Sequence, residues 1–289
     1  MDTLGPYRLD DIYTGDCAEL LKAVPDCSVD LTVTSPPYDN LREYNGYTFN
    51  FEAIAAQLWR VTKDGGVVVW VVADETEDGN ESGTSFTQAL HFKSLGFNLE
   101  TMIYEVAGTG AKGSNRLYWQ AFEYMFVLSK GKMNTVNLIR DRKNIYAGDA
   151  GNKSKGRSHG RASVKGSGTQ TSVIPPEYGR RTNIWRYLVG GNGRDDHGSH
   201  PGQFPEALAK DHILSWSNAR DIVLDPMCGS GTTCKQAKML DRRYIGFDTS
   251  AEYVRDARLR LHNAPVPFPG WYGTQQARAA DVTSCESPA

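Results

Sequence analysis

The chain has 289 residues, 39% apolar and 23% charged, enough for one sizeable core with a smaller appended module. It has no run of about 18 apolar residues, so no transmembrane helix is expected, and residues 1–5 have neither the basic nor the apolar region of a signal peptide. The five cysteines (Cys17, Cys27, Cys228, Cys234, Cys285) are odd in number and lack CxxC spacing, so a disulfide framework or a zinc site is not expected and a reducing cytoplasm fits.

In chain order, a strand-like stretch covers residues 7–13. Asp16 then precedes a helical pattern over 17–23, and Glu19 three residues later completes the form of a capping box. A β-rich run over 29–34 ends at Ser35-Pro36-Pro37. Apolar residues recur at helical spacing over 51–62, Lys63-Asp64-Gly65-Gly66 reads as a turn, and Val67-Val68-Val69-Trp70-Val71-Val72 reads as a buried parallel strand. A helix over 85–95 and strands over 99–104 and 123–128 follow.

From about residue 131 to 199 Gly, Ser, Lys, Arg and Asn dominate. The stretch 147–172 has too little apolar surface to hold itself. The α/β pattern resumes with a helix over 205–216, a strand over 222–224, a glycine turn, a helix over 232–240, a strand over 244–247 and a helix over 251–261. This alternation predicts an α/β fold: a doubly wound, mostly parallel sheet covered on both faces, plus a small basic insert. The expected division is 1–130, an insert over 131–199, a second half over 200–265 and a loose tail over 266–289.

The net charge of −2 hides an asymmetry. Between Lys130 and Arg186, thirteen Lys and Arg stand against three Asp and Glu. Such a block is the footprint of a polyanion-binding surface, although a solvated basic loop would look the same.

Asp225-Pro226-Met227-Cys228-Gly229-Ser230-Gly231-Thr232-Thr233 follows a strand and opens a helix. Gly229 and Gly231 permit a sharp turn and close approach to a ligand, and the helix N-terminus offers N–H groups. Asp248 lies at the next strand end, 19 residues after Gly229, where a carboxylate binds ribose hydroxyls in nucleoside-binding doubly wound folds. No Lys-Ser or Lys-Thr follows at P-loop spacing. A nicotinamide enzyme stays open on this loop alone, but its third glycine position is Cys234. A tight structural turn is the blander alternative.

The strand over 29–34 delivers Ser35 to the C-terminal sheet edge, where ligands of open α/β folds bind. Pro36 and Pro37 fix φ and remove two N–H donors. What remains is a hydroxyl, acceptor carbonyls and the ring of Tyr38. This set suits a planar base bearing an NH₂ group: Ser35 and the Pro36 carbonyl accept its hydrogens while Tyr38 stacks on its face. Accepting both hydrogens favours a pyramidal nitrogen with a localised lone pair, able to attack a sulfonium methyl. A rigid Pro-Pro turn with a core tyrosine is the alternative.

Ser35-Pro36-Pro37-Tyr38 together with Asp225–Thr233 resembles the DNA amino-methyltransferases that make N4-methylcytosine or N6-methyladenine, over about residues 7–130 and 180–262. The catalytic loop precedes the cofactor loop, which resembles the family's β class. The resemblance implies a Rossmann-like methyltransferase fold, circularly ordered with the catalytic half first, S-adenosyl-L-methionine as cofactor and double-stranded DNA as partner. It implies catalytic roles for Ser35, Pro36, Pro37 and Tyr38. It also implies cofactor contacts from Asp16 in a Gly-Asp motif, Thr34, His200 and Phe204, from Asp225, Pro226, Gly229, Ser230, Gly231 and Thr232, and from Asp248. Residues 181–185 resemble a segment near the target-base pocket.

The segment 130–179 occupies the place of the family's target recognition region. DNA contacts are expected from Arg42, Lys153, Lys155, Arg157, Arg161, Lys165, Arg180 and Arg181, with the target base flipped from its stack. The loop 39–50 could close over DNA, or be an ordinary surface loop. No membrane or metal partner is expected. A homodimer and a companion restriction endonuclease stay open. No Pro-Cys dipeptide for cytosine-carbon methylation occurs. Ser35 in the first motif position points to cytosine N4, with adenine N6 as the alternative and an inactive DNA-binding relic as the reading of another class. Gly231→Asp is expected to lose cofactor binding with folding intact.

Overall fold

The computed structural model describes residues 3–37, 49–107, 118, 120–145, 147–148, 175–188 and 204–265. Its framework is one sheet with strands β1 (Asp11–Thr14), β2 (Val29–Thr34), β3 (Thr62–Val72), β4 (Asn98–Ala107), β5 (Phe122–Ser129), β6 (Ile184–Leu188), β7 (Ile222–Asp225) and β8 (Arg243–Asp248). Their order across the sheet is β6-β4-β5-β3-β2-β7-β8-β1. Only β5 runs antiparallel to its neighbours, and the remaining pairs are parallel.

The helices are α1 (Cys17–Leu20), α2 (Phe51–Val61), α3 (Thr84–Ser94), α4 (Glu206–Trp216), α5 (Thr232–Met239) and α6 (Ala251–Asn263). They divide between the two sheet faces, as the pleat of β3 makes visible. Val67, Val69 and Val71 share a core with Leu208 and Ile213 of α4, Ala237 of α5 and Ala257 of α6. Val68, Trp70 and Val72 share the other with Ile54 and Leu58 of α2 and Phe92 of α3. Burial on both faces explains the unbroken apolar run.

Helix α2 shows how the sequence builds these layers. Asn50 caps it by accepting from Ala53 N at 3.2 Å. Ile54, Ala55, Leu58 and Val61 form its buried stripe, and the larger three contribute about 1.5–3 kcal/mol each by leaving water. Thr62 then turns extended and enters β3 directly.

The expected strand over 7–13 is divided. Tyr7–Arg8 pairs antiparallel with Thr3–Leu4, and Asp10, at φ 65, breaks the chain before β1. Lys63–Gly66 is not a turn between helix and strand but a bulged start of β3, with Gly65 at φ 79 and a register shift against β2. The capping box forms by half. Asp16 Oδ1 accepts from Ala18 N at 2.8 Å, whereas the Glu19 carboxylate pairs with Lys22. Helix α1 is short and continues as a 3₁₀ turn over Leu21–Ala23.

The chain forms two compact units, Met1–Asn137 with Asn183–Ala289, and Leu138–Thr182. The second unit has its own short antiparallel pair, Arg142–Lys143 with Tyr178–Gly179. Ile184–Leu188, expected within the basic insert, is instead the edge strand β6 paired with β4. Residues 266–289 lie outside the described residues.

Candidate active site

All the parallel strands end at one edge of the sheet. The chain leaves β2 toward β3 on one side and β7 toward β8 on the other, so a crevice opens between β2 and β7, the position where open α/β sheets bind ligands. Two cross-links fix its walls. The Thr34 hydroxyl donates to Asp225 Oδ1 at 2.8 Å, and Thr233 Oγ1 donates to the Val33 carbonyl at 3.0 Å. The segment entering Ser35-Pro36-Pro37 is therefore locked to the strand and helix that flank the glycine loop. Ser35 and Pro37 are half-buried, and Pro36 is buried.

The loop is shaped by its own backbone. Gly229 and Gly231 sit at φ 48 and 77. Cys228 N donates to the Phe247 carbonyl and Gly231 N to the Cys228 carbonyl. Asp248 completes the turn: Oδ2 accepts from Gly229 N at 2.8 Å and Oδ1 from Ser250 N at 2.9 Å. Each oxygen keeps a second lone-pair direction, so Asp248 can shape the loop and still accept from a ligand. At the neighbouring strand end, Gly15 N donates to the Asp248 carbonyl, which brings Asp16 to the same edge.

Asp225 is 2% exposed. Burial pushes its carboxyl up to about 7, against the opposing bonds from Thr34 and Met227 N. Beneath the loop, the Cys228 thiol is held protonated by its contact with Cys234 and by burial. A Cβ on Gly246 would come within 2.9 Å of Cys234 Sγ and 3.1 Å of Cys228 Sγ, so these thiols pack the loop onto β8.

The structure refines several expected roles. The Thr34 hydroxyl is committed to Asp225. The side-chain oxygens of Ser230 and Thr232 accept from Arg260. Phe204 is buried in the core on the α4 side, and Pro226 and Gly229 are buried. In the smaller unit, Arg181 Nε donates to Asp141 Oδ2 at 2.9 Å, so Arg181 helps hold that unit together; Arg180 is exposed and its carbonyl accepts from Arg142. Tyr38, Arg42, Lys153, Lys155, Arg157, Arg161, Lys165 and His200 lie outside the described residues. Thr233 ends the glycine-loop motif but its bond to Val33 is visible only in the tertiary structure, and Glu206 and Arg260 carry no local motif signal of their own.

Gly231→Asp is not the clean probe expected. A Cβ there would meet Ala257 Cβ and Leu261 Cδ1 at 3.0 Å, in a left-handed backbone. Even Gly231→Ala is expected to lower thermal stability by several degrees. The left-handed conformation costs about 1–2 kcal/mol and overpacking about 1–3 kcal/mol. A melt within one degree of the parent chain would refute this account of the loop.

Among the described residues no cluster of three or more His, Cys, Asp or Glu could hold a metal ion. No described helix is long and apolar enough to cross a membrane.

Fold and crevice together define a Rossmann-like α/β protein in which the glycine loop and the Ser35-Pro36-Pro37 segment flank one crevice at the sheet edge. The N6/N4 methyltransferase family model, described as DNA methylase, matches residues 29–259, and the chain belongs to this family. It is 52% identical over 246 residues to the orphan methyltransferase M.BamHII of Bacillus amyloliquefaciens, covering 83% of this chain and 91% of that protein. It is 30% identical over 279 residues to the DNA adenine methyltransferase YhdJ of Escherichia coli K12, covering 86% and 82%. Among solved structures, the PvuII cytosine-N4-specific DNA methyltransferase matches with a TM-score of 0.61 at 20% identity, over 91% of this chain and 89% of that one. The M1.HpyAVI–SAM complex matches with a TM-score of 0.57 at 21% identity, over 87% and 98%. These two likenesses support the fold.

Proposed function

We propose that the chain transfers a methyl group from S-adenosyl-L-methionine to the exocyclic amino group of a flipped DNA base, with cytosine N4 as the target. The observation that carries this is the pair of bonds from Thr34 to Asp225 and from Thr233 to Val33. They hold the acceptor loop and the glycine loop on opposite walls of one crevice. Groups along the same sheet edge suit the cofactor: carboxylates at Asp16 and Asp248, beyond β7, for adenine and ribose donors, and the N-terminus of α5 for its polar end. Family membership and a solved relative with the cofactor bound support the same assignment.

Bound there, S-adenosylmethionine supplies an activated methyl group. The chain does the rest by positioning. Ser35 Oγ and the Pro36 carbonyl accept the two amino hydrogens and turn the nitrogen lone pair toward the glycine loop. Tyr38 stacks on the base. The unit over Leu138–Thr182 and the segment it belongs to serve as the target recognition region, with Arg180 among the residues contacting phosphate. Arg181 contributes through Asp141.

Ser35 supports cytosine as the target; the 30% identity to an adenine methyltransferase favours adenine N6 as the second reading. Sequencing DNA with base-modification detection, from a methylation-free host expressing the chain, tests both. The expected result is N4-methylcytosine at one defined sequence. N6-methyladenine would overturn the base assignment and keep the reaction class. Unmodified DNA, with no tritiated methyl transfer in vitro, would leave an inactive DNA-binding relic.

A further inference from the structure

The glycine loop is built against a side chain that none of its motifs contains. Arg260, on α6, donates from Nη1 to the Ser230 carbonyl, Ser230 Oγ and Thr232 Oγ1, each at 3.1 Å. Its Nη2 donates to Glu206 Oε1. Glu206 is the first residue of α4, directly after Phe204 and Pro205. The same carboxylate accepts from Lys235 Nζ at 2.5 Å and from Gln236 Nε2 at 2.8 Å, both on α5. The charged side chains of this network are only 12–17% exposed.

Two features separate it from an ordinary ion pair. It is buried, so removing Arg260 strips buried acceptors on Ser230, Thr232 and Glu206 of their hydrogen bonds even though Lys235 still pairs with Glu206, unlike the surface pairs whose loss is nearly silent. It also uses the planar fork of arginine: one Nη serves the loop and the other serves Glu206, a division a lysine head cannot reproduce. The loop depends on such outside support, because Gly229 and Gly231 give it freedom of its own.

We propose that Arg260 is a positioning residue for the cofactor site. It ties the outer turn of the glycine loop, through Ser230 and Thr232, to Glu206 at the start of α4, so that this loop and the Phe204–Pro205 segment are held as one unit. Arg260 touches no reacting atom; it acts through the loop. The inference rests on the crevice being the S-adenosylmethionine site.

The test uses the full chain and S-adenosylmethionine as the probe. Cofactor affinity is measured by calorimetry without DNA, then KM and kcat with tritiated cofactor and methylation-free DNA. Arg260→Lys keeps the charge and loses the double attachment; its cofactor dissociation constant is expected to rise about tenfold, with the kinetic loss concentrated in KM. Glu206→Gln is expected to act in the same direction. Combining it with Arg260→Lys should cost less than the two losses added, because both sever one link. Arg260→Ala should be worse, and if it fails to fold, Arg260→Lys carries the test. A folded Arg260→Lys that melts lower yet binds cofactor within about twofold of the parent chain would overturn the proposal, leaving a purely stabilising role. A parent chain that binds no cofactor would overturn the functional reading instead.

Discussion

Replacing Ser35 by alanine is expected to cut methyl transfer to DNA by about a hundredfold while the chain keeps its affinity for S-adenosylmethionine. The substitution deletes one of the two acceptors proposed for the amino hydrogens and leaves the other in place. The Pro36 carbonyl should hold its position, because β2 stays anchored through Thr34 to Asp225 and through Val33 to Thr233. The proposed cofactor contacts on the glycine loop lie across the crevice and should lose nothing. Tyr38→Ala belongs to the same test: losing a stacked base costs about 1–3 kcal/mol, again with cofactor binding retained. Single-turnover transfer of tritiated methyl, alongside calorimetric cofactor binding, separates the two effects. Full-rate transfer by the Ser35 variant would remove the hydroxyl from the mechanism. Lost cofactor affinity would give Ser35 a structural role instead.

What could be read from the sequence is what is written locally. Val67–Val72 is apolar on both faces because both faces of β3 are covered, and no polar residue interrupts the run. Asp225, Gly229 and Gly231 are neighbours in the chain, and Asp248 closes the next strand, so one short window holds most of the crevice. Strand β6 was hidden for the opposite reason. Trp185 and Tyr187 are buried while Ile184 is half exposed, and Arg186 between them pairs with Glu105 of β4. Its alternation sits inside a basic, glycine-rich stretch and becomes a strand only by pairing with β4. Arg260 was illegible in the same sense. It looks like one more cation on an amphipathic helix, and its partners Ser230 and Glu206 lie 30 and 54 positions away.

Asp225→Asn is expected to stabilise the fold at pH 8 and to weaken cofactor binding. The carboxyl of Asp225 is raised from 3.8 to about 7, chiefly by burial. Between those values the folded chain holds a proton that the unfolded chain has lost. Its stabilising contribution is therefore complete below about pH 4 and is lost as pH rises through about 7. At pH 8 the parent chain carries the full cost of an ionised buried carboxylate, up to about 4 kcal/mol for a shift of this size. Asparagine cannot ionise, and its oxygen still accepts from Thr34 Oγ1 and Met227 N, the two donors now on Asp225 Oδ1. Its new N–H₂ must find acceptors in the same buried space, so the realised gain should be smaller. The melting temperature of the variant should exceed that of the parent at pH 8, and the difference should shrink toward pH 5. Cofactor affinity should move the other way. If Asp225 contacts the cofactor as the family resemblance implies, its ionised form would complement the positively charged end of S-adenosylmethionine, and removing that charge should cost about tenfold or more in affinity. Melting curves that run parallel for parent and variant from pH 5 to 8 would show that Asp225 does not titrate in this range. The pH dependence would then have to arise elsewhere, while the affinity measurement would still report whether the carboxylate faces the cofactor.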